Sequence, residues 1–262
     1  MAGGEAIHAG RVDGRTAWCV RAAFGCCMAF VFLVTSLGVF PDSRTLYRAM
    51  LNNMALAYLP VELSLHISRR WPAPLFWAIF SLWAIFYPNA PYVLTDYFHL
   101  AYVDPYVVLE SGRRSSVLRP DLRLWMTFTV LSVSALVSAL FGTWSLDRVV
   151  GVLQSRIGRT GFWWRFVIVA ALAALSSTGI YLGRFPRLHS VDLLLHPRHA
   201  LGQMAGACSL NQVEFVVLLT IVQMVIWCWM QFTRIASADH PAATPTYESE
   251  NEPEADGTIR KT

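Results

Sequence analysis

The sequence predicts an all-α fold, a polytopic bundle of about six transmembrane helices. Charged residues make up only 15% of the 262 residues, whereas a soluble domain carries about 25%. Hydrophobic residues make up 55% of the chain, and they are grouped in runs of about 20 residues, the length that a helix needs to cross a bilayer. No short alternating segments indicate a barrel, so the backbone groups within lipid must be satisfied by helices.

Five charge-free runs predict spans directly, and a sixth run is less apolar. The five are residues 22–41, 71–95, 124–146, 166–183 and 215–233. The sixth, residues 46–67, also contains a proline and several polar residues: Arg48, Asn52, Asn53, Pro60 and Glu62. It is still interpreted as a span, because a soluble loop would not hold its many large apolar side chains in water. We expect Glu62 to pair with Arg69 or Arg70.

These spans divide the chain into three parts. Residues 1–20 form a polar N-terminal segment, residues 21–236 the six-helix transmembrane domain, and residues 237–262 an acidic tail that is expected to be disordered because it has no apolar face to bury. The first run exceeds a normal cleavable apolar region and has no small-residue cleavage site, so it is interpreted as an uncleaved helix. The basic residues of the two sides are nearly equal in number, and the basic first flank favours cytoplasmic termini.

Lipid is the partner that this composition indicates. The net charge is only +4, and no basic stripe is interleaved with exposed aromatic residues, so nucleic acid is not an expected partner. Small residues in the spans also predict helix–helix contacts within the membrane. The sequence indicates no particular cofactor.

The third span contains two prolines near its end. Residues 74–87 give about 21 Å of helix, which is less than a full crossing, and then Pro88 and Pro91 predict that the helix breaks. One interpretation is a discontinuous helix that lines a polar pocket with Asp96 and His99, which are three residues apart and share a face. The alternative is an interfacial turn followed by a helix that lies flat on the membrane surface.

The fifth span ends in a second polar cluster, which contains Tyr181 and Arg184 and is followed by Ser190 and Asp192. Interfacial anchoring and close helix packing explain these residues equally well. However, the ends of the third and fifth spans lie on one side of the membrane, together with the start of the second span. The candidate pocket therefore comprises Asn53, Asn89, Tyr92, Thr95, Asp96, His99, Tyr181, Arg184, Ser190 and Asp192.

Within this set, Asp96, His99 and Asp192 are the residue types that hold a divalent metal, although their spacing is a weak signal for one. Alternatively, Asp96 acts with His99 in proton transfer. Either chemistry requires a shared site. We therefore expect Asp96 and Arg184 to lie well within about 12 Å of each other if the pocket exists, because ion pairs and contacts to one ligand need a few ångströms.

At these residues the sequence resembles a known family. Residues 86–96, FYPNAPYVLTD, followed by His99, resemble the PNAPY-x-x-TD signature of the integral membrane family catalogued as domain of unknown function 1361. Further similarities are N-x-x-L-A-x-x-P at residues 53–60 and GIYLGRF at residues 179–185. The resemblance covers about residues 20–235 and implies a bacterial polytopic membrane protein, but the family carries no established activity.

Three functions fit these observations. The first is a structural or accessory membrane protein. The second is a transporter or small-molecule-binding protein whose pocket lies at the ends of spans three and five. The third is a membrane-embedded enzyme that acts on a lipid or lipid-linked substrate, with Asp96 or His99 as base and Arg184 holding an anionic headgroup. No nucleophile elbow, metalloprotease helix or phosphate loop supports the enzyme, and the ligand is not indicated.

Overall fold

This computed structural model describes residues 12–36, 44–109, 111–185, 198 and 209–238. Within these ranges the chain is helical except for one small hairpin. The elements are α1 (Gly14–Ser36), α2 (Arg44–His66), α3 (Ala73–Phe86), α4 (Asn89–Tyr92), a 3₁₀ helix (Val93–Val103), β1 (Tyr106–Val108), β2 (Arg114–Leu118), α5 (Leu122–Ile157), α6 (Phe162–Arg184) and α7 (Leu210–Ala238). The predicted acidic tail beyond residue 238 lies outside the described residues.

Five helical stretches are long and apolar enough to cross a membrane. They are Gly14–Val34, Ala73–Val103, Leu122–Ile157, Phe162–Arg184 and Leu210–Ala238. The predicted all-α polytopic bundle is confirmed, and the chain is a multi-pass integral membrane protein. Helix α5 is central, because it contacts α1, α2, α4, the 3₁₀ helix, α6 and α7.

Helix α2 is 23 residues long but is not among these five apolar stretches. Its buried positions, Met50, Met54, Ala57, Val61 and Leu65, recur every three or four residues and form one apolar face. Two of its polar residues have partners on other elements, since Asn53 donates to Asp96 of the 3₁₀ helix and Glu62 pairs with Arg21 of α1. A sixth membrane crossing, by α2, therefore stays a prediction.

The prolines of the third span change the hydrogen bonding of the helix but not its backbone conformation. Helix α3 ends at Phe86. The predicted break does not move the residue before Pro88 out of the helical region, since Tyr87 has φ −53° and ψ −39°. The Tyr87 N–H donates to Trp83 O at 2.7 Å, and the chain then continues through α4 into the 3₁₀ helix. Both prolines precede the 3₁₀ helix, since Pro88 follows α3 and Pro91 lies within the short α4. The helix is thus divided into short pieces around the two residues that cannot donate a backbone bond.

Two glycines let this proline segment pack closely. A Cβ built on Gly142 of α5 would lie 2.6 Å from the Cβ of Ala90, and one built on Gly179 of α6 would lie 3.0 Å from Pro88 Cγ. Small residues at these positions allow the backbones to approach, as in many membrane helix interfaces. The 3₁₀ helix then packs on α2 and α5, with Val93 and Asp96 buried.

The hairpin connects the third span to α5. Strands β1 and β2 pair antiparallel, with Tyr106 opposite Leu118. The preceding residue, Asp104, has a left-handed backbone with φ 44°, and its carboxylate accepts a bond of 2.7 Å from Arg114. Both of these side chains are more than half exposed.

Arginines of α5 complete the end of α2 on the opposite side. Arg148 donates to Ser64 O at 2.9 Å and to Ile67 O at 3.2 Å. Arg156 donates to the carbonyl oxygens of Arg69 and Trp71. The bond to Ser64 O satisfies a carbonyl group that the end of α2 leaves without a partner, and the other bonds hold the connection between α2 and α3.

Candidate functional site

The start of α2, the 3₁₀ helix and the end of α6 meet at one end of the bundle. Because consecutive helices run in opposite directions, Asn53, Asp96 and Arg184 arrive there from different parts of the sequence. The Nη1 of Arg184 lies 3.4 Å from Oδ1 of Asp96. Asn53 Nδ2 donates to the other carboxylate oxygen, Oδ2, at 2.8 Å.

Asp96 is the buried centre of this site, with 1% of its side chain exposed. Its Oδ2 has the close bond from Asn53, but its Oδ1 has weaker neighbours. These are Arg184 Nη1 at 3.4 Å and His99 Nδ1 at 3.6 Å. Within the described residues, no donor lies closer to Oδ1. A buried carboxylate normally accepts several close hydrogen bonds, so this oxygen retains capacity for another donor.

Arg184 is held from two sides. Its Nη2 donates to Thr95 O at 3.0 Å, and its Nη1 donates to the Tyr92 hydroxyl at 3.1 Å. The guanidinium also lies 5.5 Å from the centroid of the Tyr92 ring, a cation–π contact. With the long bond to Asp96, three of its five N–H groups have partners among the described residues. The Nε–H and one Nη2–H remain, and 22% of the side chain is exposed.

His99 lies beside the carboxylate and does not donate to it at close range. Its Nδ1 lies 3.0 Å from the main-chain oxygen of Asp96. A carbonyl oxygen only accepts hydrogen bonds, so Nδ1 is the protonated nitrogen of this contact. The second nitrogen, Nε2, is therefore the one with a lone pair in the neutral ring. The side chain is 23% exposed.

The remaining candidates from the sequence lie at the edge of this cluster or outside it. Thr95 Oγ1 donates to Tyr92 O, so only its main-chain oxygen contacts Arg184. Asn89 Nδ2 donates to Phe86 O at 2.9 Å, within the proline turn. Tyr181 packs its ring on Phe185 and on Phe215 of α7. Ser190 and Asp192 lie outside the described residues.

Metal binding at Asp96, His99 and Asp192 is not tested by the described residues. Among them, no three side chains of the His, Cys, Asp and Glu types come together. Asp96 and His99 supply two ligand types, but the third candidate is outside the described ranges. The chemistry of the site is therefore argued from its carboxylate, guanidinium and imidazole groups.

Gln212 of α7 is a nearby polar residue that the sequence did not single out. Its Oε1 is buried and has no hydrogen-bond partner among the residues that the structure describes. Helices α6 and α7 are antiparallel, with the rings of Tyr181 and Phe215 in contact at 5.6 Å between centroids. Gln212 precedes Phe215 by one turn and Arg184 follows Tyr181 by one turn, so both lie at the same level of the bundle. The alignment of α6 with α7 would have pointed to Gln212, but it is known only once the pairing of the two helices is known.

A second buried carboxylate, Asp147, lies toward the other end of α5 and was missed by sequence reasoning. Its Oδ1 accepts bonds from Arg165 Nε at 2.9 Å, Trp227 Nε1 at 2.9 Å and Gln231 Nε2 at 2.7 Å. Its Oδ2 accepts a bond from Arg234. Trp227, Gln231 and Arg234 are spaced by four and three residues on one face of α7. That spacing was the available signal.

Glu62 has a different partner from the expected one. It pairs with Arg21 of α1, whose Nε donates to Oε2 at 3.0 Å. Tyr58 donates to the same oxygen at 2.5 Å. The expected pairing with Arg69 or Arg70 is wrong, because α1 packs along α2 and brings Arg21 to the level of Glu62.

Comparisons with known proteins identify the family of the chain but not an activity. No curated protein and no solved structure matches it. One family profile, described as "Protein of unknown function (DUF1361)", matches residues 52–226, about two thirds of the chain. The matched range contains every residue of the Asp96 cluster, from Asn53 to Arg184. The chain therefore belongs to the DUF1361 family of proteins of unknown function.

Proposed function

We propose that this membrane protein binds a small ligand, or the headgroup of a lipid, that carries a carboxylate or a phosphate. The observation that carries the proposal is the incomplete coordination of the buried Asp96 beside a partly exposed Arg184. Arg184 has two N–H groups without protein partners among the described residues, and Asp96 Oδ1 has no donor closer than 3.4 Å. An anionic group of the ligand would accept hydrogen bonds from the two N–H groups of Arg184. A hydroxyl or amine of the same ligand would donate to Asp96 Oδ1.

The contrast between the two buried aspartates supports this proposal. Asp147 accepts four side-chain bonds from two guanidinium groups, an indole and an amide. Asp96 accepts one close bond, from Asn53. Both side chains are 1% exposed, so solvent does not explain the difference. A carboxylate whose oxygens all accept close hydrogen bonds, such as that of Asp147, suits a structural role. A buried carboxylate with an oxygen that lacks a close donor, such as that of Asp96, suits a site whose last partner is a ligand.

The geometry of Arg184 suits a planar or tetrahedral anion. A guanidinium binds carboxylate and phosphate through parallel N–H groups, and such bonds are about twice as strong as neutral ones. The bonds to Thr95 and Tyr92 fix the orientation of the group before a ligand arrives. His99 offers a further partly exposed donor or acceptor at the same edge. Gln212 adds a buried carbonyl oxygen at this level that accepts no hydrogen bond from the described part of the chain.

Ligand binding by the full-length chain in nanodiscs tests the proposal. In phosphatidylcholine nanodiscs, inorganic phosphate is titrated and its affinity is measured by calorimetry. A second set of nanodiscs contains phosphatidylglycerol and tests a headgroup as the source of the anion. We expect Arg184→Gln to weaken binding of the effective probe about tenfold or more, because a hydrogen bond to a charged group contributes about 1.5–3 kcal/mol. His99→Gln is expected to weaken it less.

Arg159→Gln is the matched control. Arg159 lies over the Trp164 ring at 4.5 Å, at the start of α6, whereas Arg184 lies at its end. The proposal fails if neither probe binds the parent chain, or if Arg184→Gln binds both probes as the control does. Binding of phosphate alone identifies a soluble ligand, and an effect of Arg184→Gln on phosphatidylglycerol alone identifies a lipid.

A structural or accessory role is the second candidate. It is favoured by the fact that the same bonds join three elements, since Asn53, Asp96 and Arg184 connect α2, the 3₁₀ helix and α6. Under this role, Arg184→Gln would lower the melting temperature without changing the affinity for either probe. The two candidates thus predict different outcomes from the same variant.

The proposed location is a bacterial cell membrane with both termini in the cytoplasm, so that the Asp96 site faces the outer side. The support is the basic first flank, with Arg15 and Arg21 before the apolar part of α1. Reporters fused after Thr262 test it. A reporter that works only in the cytoplasm is expected to be active, and activity of one that works only outside the cytoplasm would contradict the orientation.

A further inference from the structure

The Asp147 cluster contains one negative charge and two positive charges. Arg165 and Arg234 approach the carboxylate from α6 and α7, and the main-chain oxygen of Asp147 accepts a further bond from Arg165 Nη2 at 3.1 Å. The neutral partners, Trp227 and Gln231, add no charge. One positive charge is therefore not balanced within the cluster.

This charge lies near the membrane face on which α6 begins and α7 ends. Arg165 is three residues after the start of α6 at Phe162, and Arg234 is four residues before the end of α7 at Ala238. At about 1.5 Å per residue, both lie within about 6 Å of a helix end. The Asp147 cluster, which is bonded to both helices, therefore lies at a depth that lipid headgroups reach.

Exposed aromatic side chains flank the two arginines on the same helices. Trp163 is two residues before Arg165, and Phe232 is two residues before Arg234. Both are more than half exposed, as is Trp229 one turn earlier on α7. Tryptophan is enriched where membrane proteins meet the headgroup layer. The aromatic residues thus indicate that this end of α6 and α7 lies at the level of the lipid headgroups.

We propose that Arg234 and Arg165 bind the phosphate of an anionic phospholipid. Arg234 has the larger part in this site. It is 38% exposed, compared with 21% for Arg165, and among the described residues its only hydrogen bond goes to Asp147. Most of its N–H groups are therefore available to phosphate oxygens, and the headgroup supplies the missing negative charge. This site is independent of the one proposed at Asp96.

Native mass spectrometry of the delipidated full-length chain tests the site. Phosphatidylglycerol and phosphatidylcholine with identical acyl chains are titrated in detergent, and bound lipid is counted. The parent chain is expected to prefer phosphatidylglycerol. Arg234→Gln is expected to reduce that preference about fivefold, which corresponds to the contribution of one arginine near an anionic headgroup. Asp147 keeps its bonds from Arg165, Trp227 and Gln231 in this variant.

Two further variants keep the result interpretable. Arg234→Lys retains the charge and is expected to keep most of the preference, even if the hydrogen bond to Asp147 is weakened. Arg114→Gln removes an exposed arginine of the hairpin, which belongs to neither proposed site, and is expected to leave the preference unchanged. Equal binding of both lipids by the parent chain would overturn the proposal, as would an unchanged preference in Arg234→Gln or equal losses in the Gln and Lys variants. Arg184 is the same in the parent chain and in both Arg234 variants, so the difference between them does not depend on binding at Arg184.

Discussion

Asp147→Asn is expected to lower the free energy of unfolding by about 3–5 kcal/mol, the usual effect of removing one partner from a buried ion pair. The substitution preserves the size of the side chain but removes its charge. Arg165 and Arg234 then face each other without a counter-ion, and the new amide turns N–H groups toward other donors. We expect the variant to melt at a clearly lower temperature in detergent and to lose the docking of α7.

Asp104→Asn is the control for this effect. Asp104 also pairs with an arginine, Arg114, at 2.7 Å, but both side chains are more than half exposed. Exposed pairs contribute at most about 1 kcal/mol, so this variant should melt close to the parent chain. Equal melting temperatures for the two variants would contradict the structural role of Asp147.

Gly142→Ala is expected to lower the free energy of unfolding by about 1–3 kcal/mol, the range for inserting a methyl group into a well-packed core. A Cβ at this position would lie 2.6 Å from the Cβ of Ala90, which real atoms do not tolerate. Either α5 or the proline segment has to move. Because that segment continues into the residues around Asp96, the substitution should also weaken binding at the proposed site.

Two variants separate close packing from a general effect of alanine. Gly25→Ala, in α1, has no heavy atom within 4 Å of the new Cβ, so it should not destabilise the chain and should even favour the helix slightly. Ala90→Gly combined with Gly142→Ala removes the clashing methyl group and should recover part of the lost stability. Additive losses in that double variant would show that contact with Ala90 is not the cause.

The spans were predictable because hydrocarbon selects for apolar residues over a fixed length. Within the described residues, each of the five charge-free runs lies mostly on helices, and several helices extend beyond the runs. Helix α5 continues to Ile157, eleven residues beyond the predicted end of its span. This extension was hidden because Asp147 and Arg148 look like ordinary loop charges. Asp147 in fact binds arginines of α6 and α7, and Arg148 donates to carbonyl oxygens at the end of α2. Only the packing of α5 reveals these partners.

The candidate site was predictable to the extent that topology determined it. The alternation of spans places Asn53, Asp96 and Arg184 on one side, and the structure brings them into contact. The direction of each helix face was not predictable from spacing. Tyr181, one turn before Arg184, packs on Phe215 of α7 and not on the carboxylate. The prolines misled for a related reason, since Tyr87 keeps a helical backbone before Pro88 and the chain continues through the short α4 into the 3₁₀ helix.

The 3₁₀ helix gives the proposed site a thermodynamic property that a regular helix would not. Its 11 residues exceed the three or four that such a helix usually sustains by its own hydrogen bonds, so contacts such as that from Arg184 to Thr95 O hold it in place. A ligand bound to the remaining N–H groups of Arg184 fixes the guanidinium further and so stabilises that contact. Occupancy of the site and local unfolding of residues 93–103 are then linked equilibria, and amide hydrogen exchange in this segment reports directly on binding.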